Sequence, residues 1–291
     1  MILIDGKASA AKVKIRIKTE LDSMALKQKP GLAFILIGQH GPSITYVTMK
    51  QKACKELGFS SFLHHLDEKV SEKDLKILIE SLNKNPDIHG VLLQQPLPPH
   101  LDSLKFLTAI DSEKDVDGFH PINMGKLLTG DMTAFIPCTP KGVLQLLKDY
   151  DISVAGKEVV VLGRSNIVGK PMAALLMQKN ENGNATVTVC HQRTKNLSEH
   201  LKRADILISA TGQPNSVGAE NLKKGVIAID VGLSRVEDLS SAKGYRIAGD
   251  LKFDEVSKVA SYVTPAPGGV GPMTIAMLLE NTFISFLKKH S

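Results

Sequence analysis

The sequence predicts an α/β protein of two domains, and three observations carry that prediction. Short runs rich in Val, Ile and Leu alternate with longer amphipathic stretches, the rhythm of parallel strands joined by crossover helices. At 291 residues the chain exceeds the length that one hydrophobic core comfortably serves. Its hydrophobic share of 43% is enough to fill two cores.

Taken in order, a long amphipathic stretch predicts a first helix over 8–28, and an unbroken apolar run predicts a strand over 32–37. A helix over 43–57, a strand over 61–66, a helix over 72–83 and a strand over 88–93 follow. Thr139-Pro140 reads as a helix start, because Thr can cap free amides and Pro has no amide to satisfy. That start opens a helix over 140–150 and the linker between domains. Strands over 158–162, 186–190, 206–210 and 226–231 and helices over 170–178 and 274–289 complete the chain. The expected division is 1–140 for the first domain and 141–272 for the second, with the last helix, 273–290, packing back on the first.

Composition excludes several classes. No stretch approaches eighteen uninterrupted apolar residues, which argues against a membrane span. The N-terminal apolar run is too short for a signal peptide, so a cytoplasmic location is the default expectation. Three cysteines, Cys54, Cys138 and Cys190, lie far apart without the spacing of a disulfide framework or zinc site. His64-His65 with Asp67 is no better a metal cluster, since neighbours on a strand point to opposite faces. The net charge is +6, but Lys and Arg are spread along the chain, and with no Trp and four Tyr a base-stacking surface is hard to assemble. An anionic small ligand explains the charge better than nucleic acid does.

The strand over 158–162 runs into Gly163-Arg164-Ser165-Asn166-Ile167-Val168-Gly169-Lys170-Pro171, after which a helix begins. A strand, a glycine turn and a helix start together form a cradle for a pyrophosphate, because backbone can approach closely and free amides favour negative charge. This makes the second domain Rossmann-type, facing the first across a cleft. The usual G-x-G-x-x-G spacing is absent, since Ser165 stands at the second glycine position, and a plain strand-to-helix turn stays open as the alternative. The next strand ends in Cys190-His191-Gln192-Arg193-Thr194 without a carboxylate. Arg164 and Arg193 can there hold a 2′-phosphate, which favours NADP over NAD, although solvated surface arginines would read the same way.

Together with Asp115-Val116-Asp117-Gly118-Phe119-His120-Pro121 and Pro267-Gly268-Gly269-Val270-Gly271-Pro272-Met273-Thr274, this loop resembles the bifunctional methylenetetrahydrofolate dehydrogenase/cyclohydrolase family. Tyr46-Val47-Thr48-Met49-Lys50-Gln51-Lys52-Ala53-Cys54, Gln94-Gln95-Pro96-Leu97-Pro98, Pro137-Cys138-Thr139-Pro140 and Thr194-Lys195-Asn196-Leu197 extend the match over essentially the whole chain. Gln95 stands where the family more often has Leu, and Gln192-Arg193 is not a uniform family pairing. The resemblance implies oxidation of 5,10-methylenetetrahydrofolate to the methenyl form with NADP, then hydrolysis to 10-formyltetrahydrofolate. It also implies a homodimer built through the second domain, and a place in one-carbon metabolism and purine biosynthesis.

Tyr46 and Lys50 lie four residues apart on a predicted helix, so both reach a common ligand. Hydrolysis of a methenyl cation needs an activated water and a proton moved as the ring opens, and a lysine serves when part of it is neutral. By resemblance Lys50 takes that acid–base role, Tyr46 positions the folate ring and Lys50, and Gln94 hydrogen-bonds to Lys50. Asp117 anchors the pterin, whose N–H edge a carboxylate accepts strongly. The resemblance places Gly268, Gly269 and Gly271 beside nicotinamide and folate, and adds Val168, Gly169, Thr211 and Gly232 to Gly163, Arg164, Ser165 and Arg193 as cofactor contacts. Two other readings stay open: a monofunctional dehydrogenase in which Tyr46, Lys50 and Gln94 only shape the pocket, and a non-catalytic nucleotide-binding regulator.

Overall fold

A computed structural model describes residues 1–24, 26–238, 240–241 and 244–290. The chain runs β1 (Ile2–Leu3), α1 (Gly6–Ser23), β2 (Gly31–Ile37), α2 (Gly41–Leu57), β3 (Ser60–Leu66), α3 (Glu72–Lys84) and β4 (Gly90–Leu93). Next come α4 (Ser103–Leu107), α5 (Pro121–Thr129), α6 (Cys138–Asp149), β5 (Glu158–Leu162), α7 (Gly169–Leu176), β6 (Thr186–Cys190) and α8 (Leu197–Arg203). The rest comprises β7 (Ile206–Ser209), β8 (Ile227–Asp230), β9 (Ser234–Glu237), β10 (Tyr245–Ala248), α9 (Phe253–Val256), β11 (Tyr262–Val263) and α10 (Val270–Lys288).

The residues divide into two compact units that differ from a simple cut at 140. One combines Met1–Ala11, Leu127–Asp131 and Thr139–Thr274; the other combines Lys12–Lys126, Met132–Cys138 and the C-terminal stretch from Ile275. The N-terminal strand is the main departure from the expected boundary. Backbone amides of Ile2 and Ile4 donate to Ser261 and Val263, so β1 joins the second half's sheet beside β11. With only two residues, neither strand carries a readable period.

The unit containing Lys12–Lys126 is built on a parallel sheet ordered β3-β2-β4. All seven residues of β2 are buried, as an apolar run with helices on both faces should be. Ala33, Ile35 and Ile37 pack with Leu75 and Ile79 of α3 and with Phe106 of α4. Ser71 starts α3 by accepting from the Asp74 amide, and Asn281 of α10 donates to the carbonyls of Val116 and Ile136. Val270–Lys288 is long and apolar enough to cross a membrane by length and composition, but most of its apolar window is buried. Asn281, Thr282 and Ser285 are hydrogen-bonded within the protein, the mark of a core helix.

The other unit carries a six-stranded all-parallel sheet ordered β1-β11-β8-β7-β5-β6, with β9 and β10 paired as a separate antiparallel hairpin. Val160, Leu162, Leu207 and Ala228 supply much of the core on one face. Thr139 does not cap α6 as its sequence suggests: the helix begins at Cys138, and the Thr139 hydroxyl instead meets that of Thr274 at 3.0 Å. A neighbouring hydroxyl wins over the local capping bond.

Candidate active site and cofactor site

The Lys50 site begins with α2. Ser43, Val47, Lys50, Ala53, Cys54 and Leu57 are its buried positions, recurring every three or four residues, so Lys50 stands on the inward face although its neighbour Met49 is exposed. Lys50 is 8% exposed. Lysine is rarely this buried without a polar partner. Its partner comes from the end of β4, where the Gln94 amide donates to Ile35 O at 2.9 Å and continues the ladder one residue past the strand. Lys50 Nζ donates to Gln94 Oε1 at 3.1 Å, and Gln94 Nε2 donates to Gln95 O at 2.8 Å. Those two bonds fix which end of the Gln94 amide faces the lysine. Tyr46 is half-buried one turn before Lys50 on α2.

Asp117 lies within reach of the Lys50 charge. Burial pushes its carboxyl above the usual aspartate range, while Lys50 and a bond from the Cys138 thiol pull it back. The turn bearing Asp117 is held by Asp115, a residue given no separate part in the sequence reading. Asp115 Oδ1 accepts from the Phe119 amide at 3.2 Å; Oδ2 accepts from the His120 amide at 2.8 Å and from Asn123 Nδ2 at 2.9 Å. Burial raises the Asp115 carboxyl to about 7, against those bonds. The first carboxylate of the D-V-D-G run is therefore internal scaffolding, and the second is the one on which the Lys50 charge acts. Sequence could have suggested this division only through Asn123, whose bond to Asp115 crosses eight residues.

In the other unit, β5 ends at Leu162 and Gly163 follows with φ of +135°. A side chain there would be strained, and its Cβ would run into Ala210 O; one at Gly169 would run into Gly163 O. Ser165, at the missing glycine position, uses its hydroxyl to accept from the amides of Val168 at 3.1 Å and Gly169 at 3.4 Å. The turn therefore closes without a second glycine. A cavity of about 460 Å³ opens here, lined by Gly163, Arg164, Ser165, His191, Gln192 and Thr211 among others. Its volume, glycine turn and basic rim fit the phosphate-bearing part of a dinucleotide.

Of the expected cofactor residues, Gly163, Arg164, Ser165 and Thr211 surround this cavity, and Val168 and Gly169 form the helix start beside it. Arg193 does not line it. Its backbone amide donates to His191 Nδ1 at 3.1 Å in an exposed turn, and His191 and Gln192 take the lining places. Thr211 is held by its amide, which donates to Asp250 Oδ2 at 2.6 Å, and the Gly232 amide donates to Asp230 Oδ1 at 2.9 Å. Asp230 is raised to about 6, chiefly by burial. Gly232, Gly268, Gly269 and Gly271 lie outside the lining of this cavity; Gly268 takes φ of +111°, and the Gly269 amide donates to Pro265 O just before α10.

Two family models cover this arrangement. Residues 4–117 match the catalytic domain, and residues 137–290 the NAD(P)-binding domain, of tetrahydrofolate dehydrogenase/cyclohydrolase. The chain belongs to the tetrahydrofolate dehydrogenase/cyclohydrolase family. Family members include the bifunctional protein FolD of Prosthecochloris aestuarii, 49% identical with all of both chains covered, and that of Nautilia profundicola, 51% identical over 97% of this chain and 96% of that one. The crystal structure of the bifunctional FolD dehydrogenase/cyclohydrolase from Campylobacter jejuni is 48% identical, with a TM-score of 0.93 and 99% of each chain covered. The Trypanosoma brucei FolD structure, complexed with NADP cofactor and inhibitor, is 39% identical, with a TM-score of 0.95 over 100% of this chain and 98% of that one.

Proposed function

We propose that this enzyme acts twice on one folate, oxidising 5,10-methylenetetrahydrofolate to 5,10-methenyltetrahydrofolate with NADP and hydrolysing that product to 10-formyltetrahydrofolate. The carrying observation is the buried Lys50 bonded to Gln94 with Asp117 in its field, in a family that unites both activities.

Asp117 accepts the N–H donors of the pterin edge, and Tyr46 packs along the ring; both act by fixing orientation. Gly163, Arg164, Ser165 and Thr211 would hold NADP, which would supply the hydride acceptor there. Loss of hydride from the methylene carbon needs no protein acid, because the flanking folate nitrogens share the resulting positive charge. Water then adds to that carbon. Lys50 acts as the base that takes a proton from the water, and as the carbon–N5 bond breaks the same group returns a proton to N5. The remaining water proton leaves to solvent, and the formyl group stays on N10. Gln94 Oε1 occupies one N–H of Lys50 and so fixes where the amine points.

The proposed assembly is a homodimer formed through the unit containing β6. That strand, Thr-Val-Thr-Val-Cys, lies at the sheet edge with Thr186 and Val189 exposed, a β-branched edge suited to cover by a second copy. Three buried cysteines, none in a disulfide among the described residues, support a reducing, cytoplasmic setting, and the formyl product suits purine biosynthesis.

The test is one time course with purified protein, 5,10-methylenetetrahydrofolate and either NADP or NAD, following reduced cofactor, methenyl and formyl products. Reduction with NADP and catalysed formyl formation are expected. Methenyl decay at the uncatalysed rate would leave a dehydrogenase alone, and absence of reduction with both cofactors would overturn the enzymatic reading.

A further inference from the structure

A continuous hydrogen-bonded chain leads from the exposed ring of His40 to the buried Lys50. His40 precedes α2 and makes no capping bond to a helix amide. Its Nδ1 instead lies 2.9 Å from the hydroxyl of Ser43, itself only 4% exposed. Ser43 Oγ donates to Gln95 O at 3.4 Å, the same carbonyl that accepts from Gln94 Nε2 at 2.8 Å. Gln94 Oε1 then accepts from Lys50 Nζ. Ser43 and Lys50 share the inward face of α2, two helical turns apart, so one helix carries two of the groups on the route.

From this chain we infer that His40 is a positioning residue for the hydrolytic step, acting through Ser43 and the Gln95 carbonyl on the orientation of the Gln94 amide. This rests on the reading of Lys50 as the acid–base group. The hydroxyl of Ser43 has one proton and two acceptors competing for it, His40 Nδ1 and Gln95 O. When His40 presents an N–H at Nδ1, that proton must turn to Gln95 O, which then accepts two bonds. A carbonyl held from two sides fixes Gln94 Nε2, and a fixed Nε2 keeps Oε1, never the NH₂, against the lysine. Without the His40 N–H the Ser43 oxygen is no longer anchored from its far side, its long 3.4 Å bond to the carbonyl loosens and the Gln94 amide samples the reversed orientation. Dehydrogenation, which needs no proton from Lys50, should be insensitive to this change.

His40→Ala and His40→Asn test the route, with Lys50→Met measured in parallel. Asn places a donor or acceptor near the position of Nδ1. For His40→Ala the cyclohydrolase kcat should fall about fivefold, on the order of 1 kcal/mol at 1.36 kcal/mol per tenfold, with KM for the methenyl folate and the dehydrogenase rate unchanged. His40→Asn should restore most of that loss. An unchanged cyclohydrolase in His40→Ala, an equal fall in both activities, a change confined to KM, or failure of Asn to restore kcat would each overturn the inference. If Lys50→Met keeps its hydrolase, the underlying reading of Lys50 fails; if Lys50→Met loses it while His40→Ala does not, only the role of His40 fails.

Discussion

Lys50 Nζ donates to Gln94 Oε1 over 3.1 Å, joining a helix to a strand end 44 residues away in sequence. A bond between a flexible amine and a pinned amide is an orienting device: Gln95 O holds one end of Gln94, and the other end directs the lysine.

Lys50→Met should therefore lower cyclohydrolase activity by about a hundredfold or more, the usual worth of a positioned acid–base group, and leave the dehydrogenase within a few-fold of wild type. Both activities are read from one assay of NADPH formation and methenyl decay. Parallel loss of the two in a folded variant would contradict the assignment.

Asp117→Asn should raise KM for both folate substrates by roughly tenfold to a hundredfold, the cost of replacing a charge-assisted acceptor. Because burial raises the Asp117 carboxyl, its charged form disappears at higher pH than that of an ordinary aspartate. On acidification, folate KM of the wild type should accordingly climb earlier than an unperturbed carboxylate would produce. A KM flat across that range, or a variant with wild-type KM, would exclude a binding role.

Arg164 lines the cofactor cavity and Arg193 does not. Arg164→Ala should thus raise KM for NADP by about tenfold or more while changing KM for NAD little, since only NADP carries the 2′-phosphate. Arg193→Ala should leave both nearly unchanged. Equal effects of the two substitutions would mean that the exposed turn reorganises around the cofactor.

Gly163→Ala places a methyl group against the Ala210 carbonyl at φ of +135°. The strained backbone should cost about 1–3 kcal/mol of stability, seen as a lower Tm, together with weaker NADP binding by titration. A variant as stable as wild type that binds NADP normally would show that the turn is not the cradle.

His89 is fully buried, and its Nδ1 accepts from the Gly31 amide at 3.0 Å, so the neutral ring is the one that fits. Burial, followed by the charges of Lys289, His290 and Lys114, lowers it from 6.5 to about 4. Between those values the unfolded chain binds the proton and the folded one does not, so stability rises with pH across the window and is lost as pH falls from 6.5 toward 4. The share of His89 is on the order of 3 kcal/mol at 1.36 kcal/mol per unit. Urea unfolding at pH 7 and pH 4.5 should show this loss in wild type and a smaller one in His89→Gln. The same loss in both proteins would refute it.

The sequence by itself determined what local pattern can encode. The apolar run of β2 marks a strand buried on both faces, and the four-residue spacing of Tyr46 and Lys50 puts them on one helical face. The strand, glycine turn and helix start around Gly163 are legible from local pattern, and they suit a nucleotide cradle as well as a plain strand-to-helix turn. Tertiary structure decided what depends on partners far along the chain. β1 is two residues long and is held by carbonyls of Ser261 and Val263, so no local period could assign it to the second half's sheet. Thr139 has the chemistry of a cap, yet the hydroxyl of Thr274 takes its bond. Arg193 and Arg164 look alike as cations in sequence, and only the turn that points the backbone of residue 193 at His191 separates them. Asp115 and Asp117 sit two residues apart in one motif, but three N–H donors claim the first and the Lys50 charge acts on the second. Periodicity and turn chemistry act over a few residues, whereas hydrogen-bond partners and burial are set by where the fold brings distant segments together.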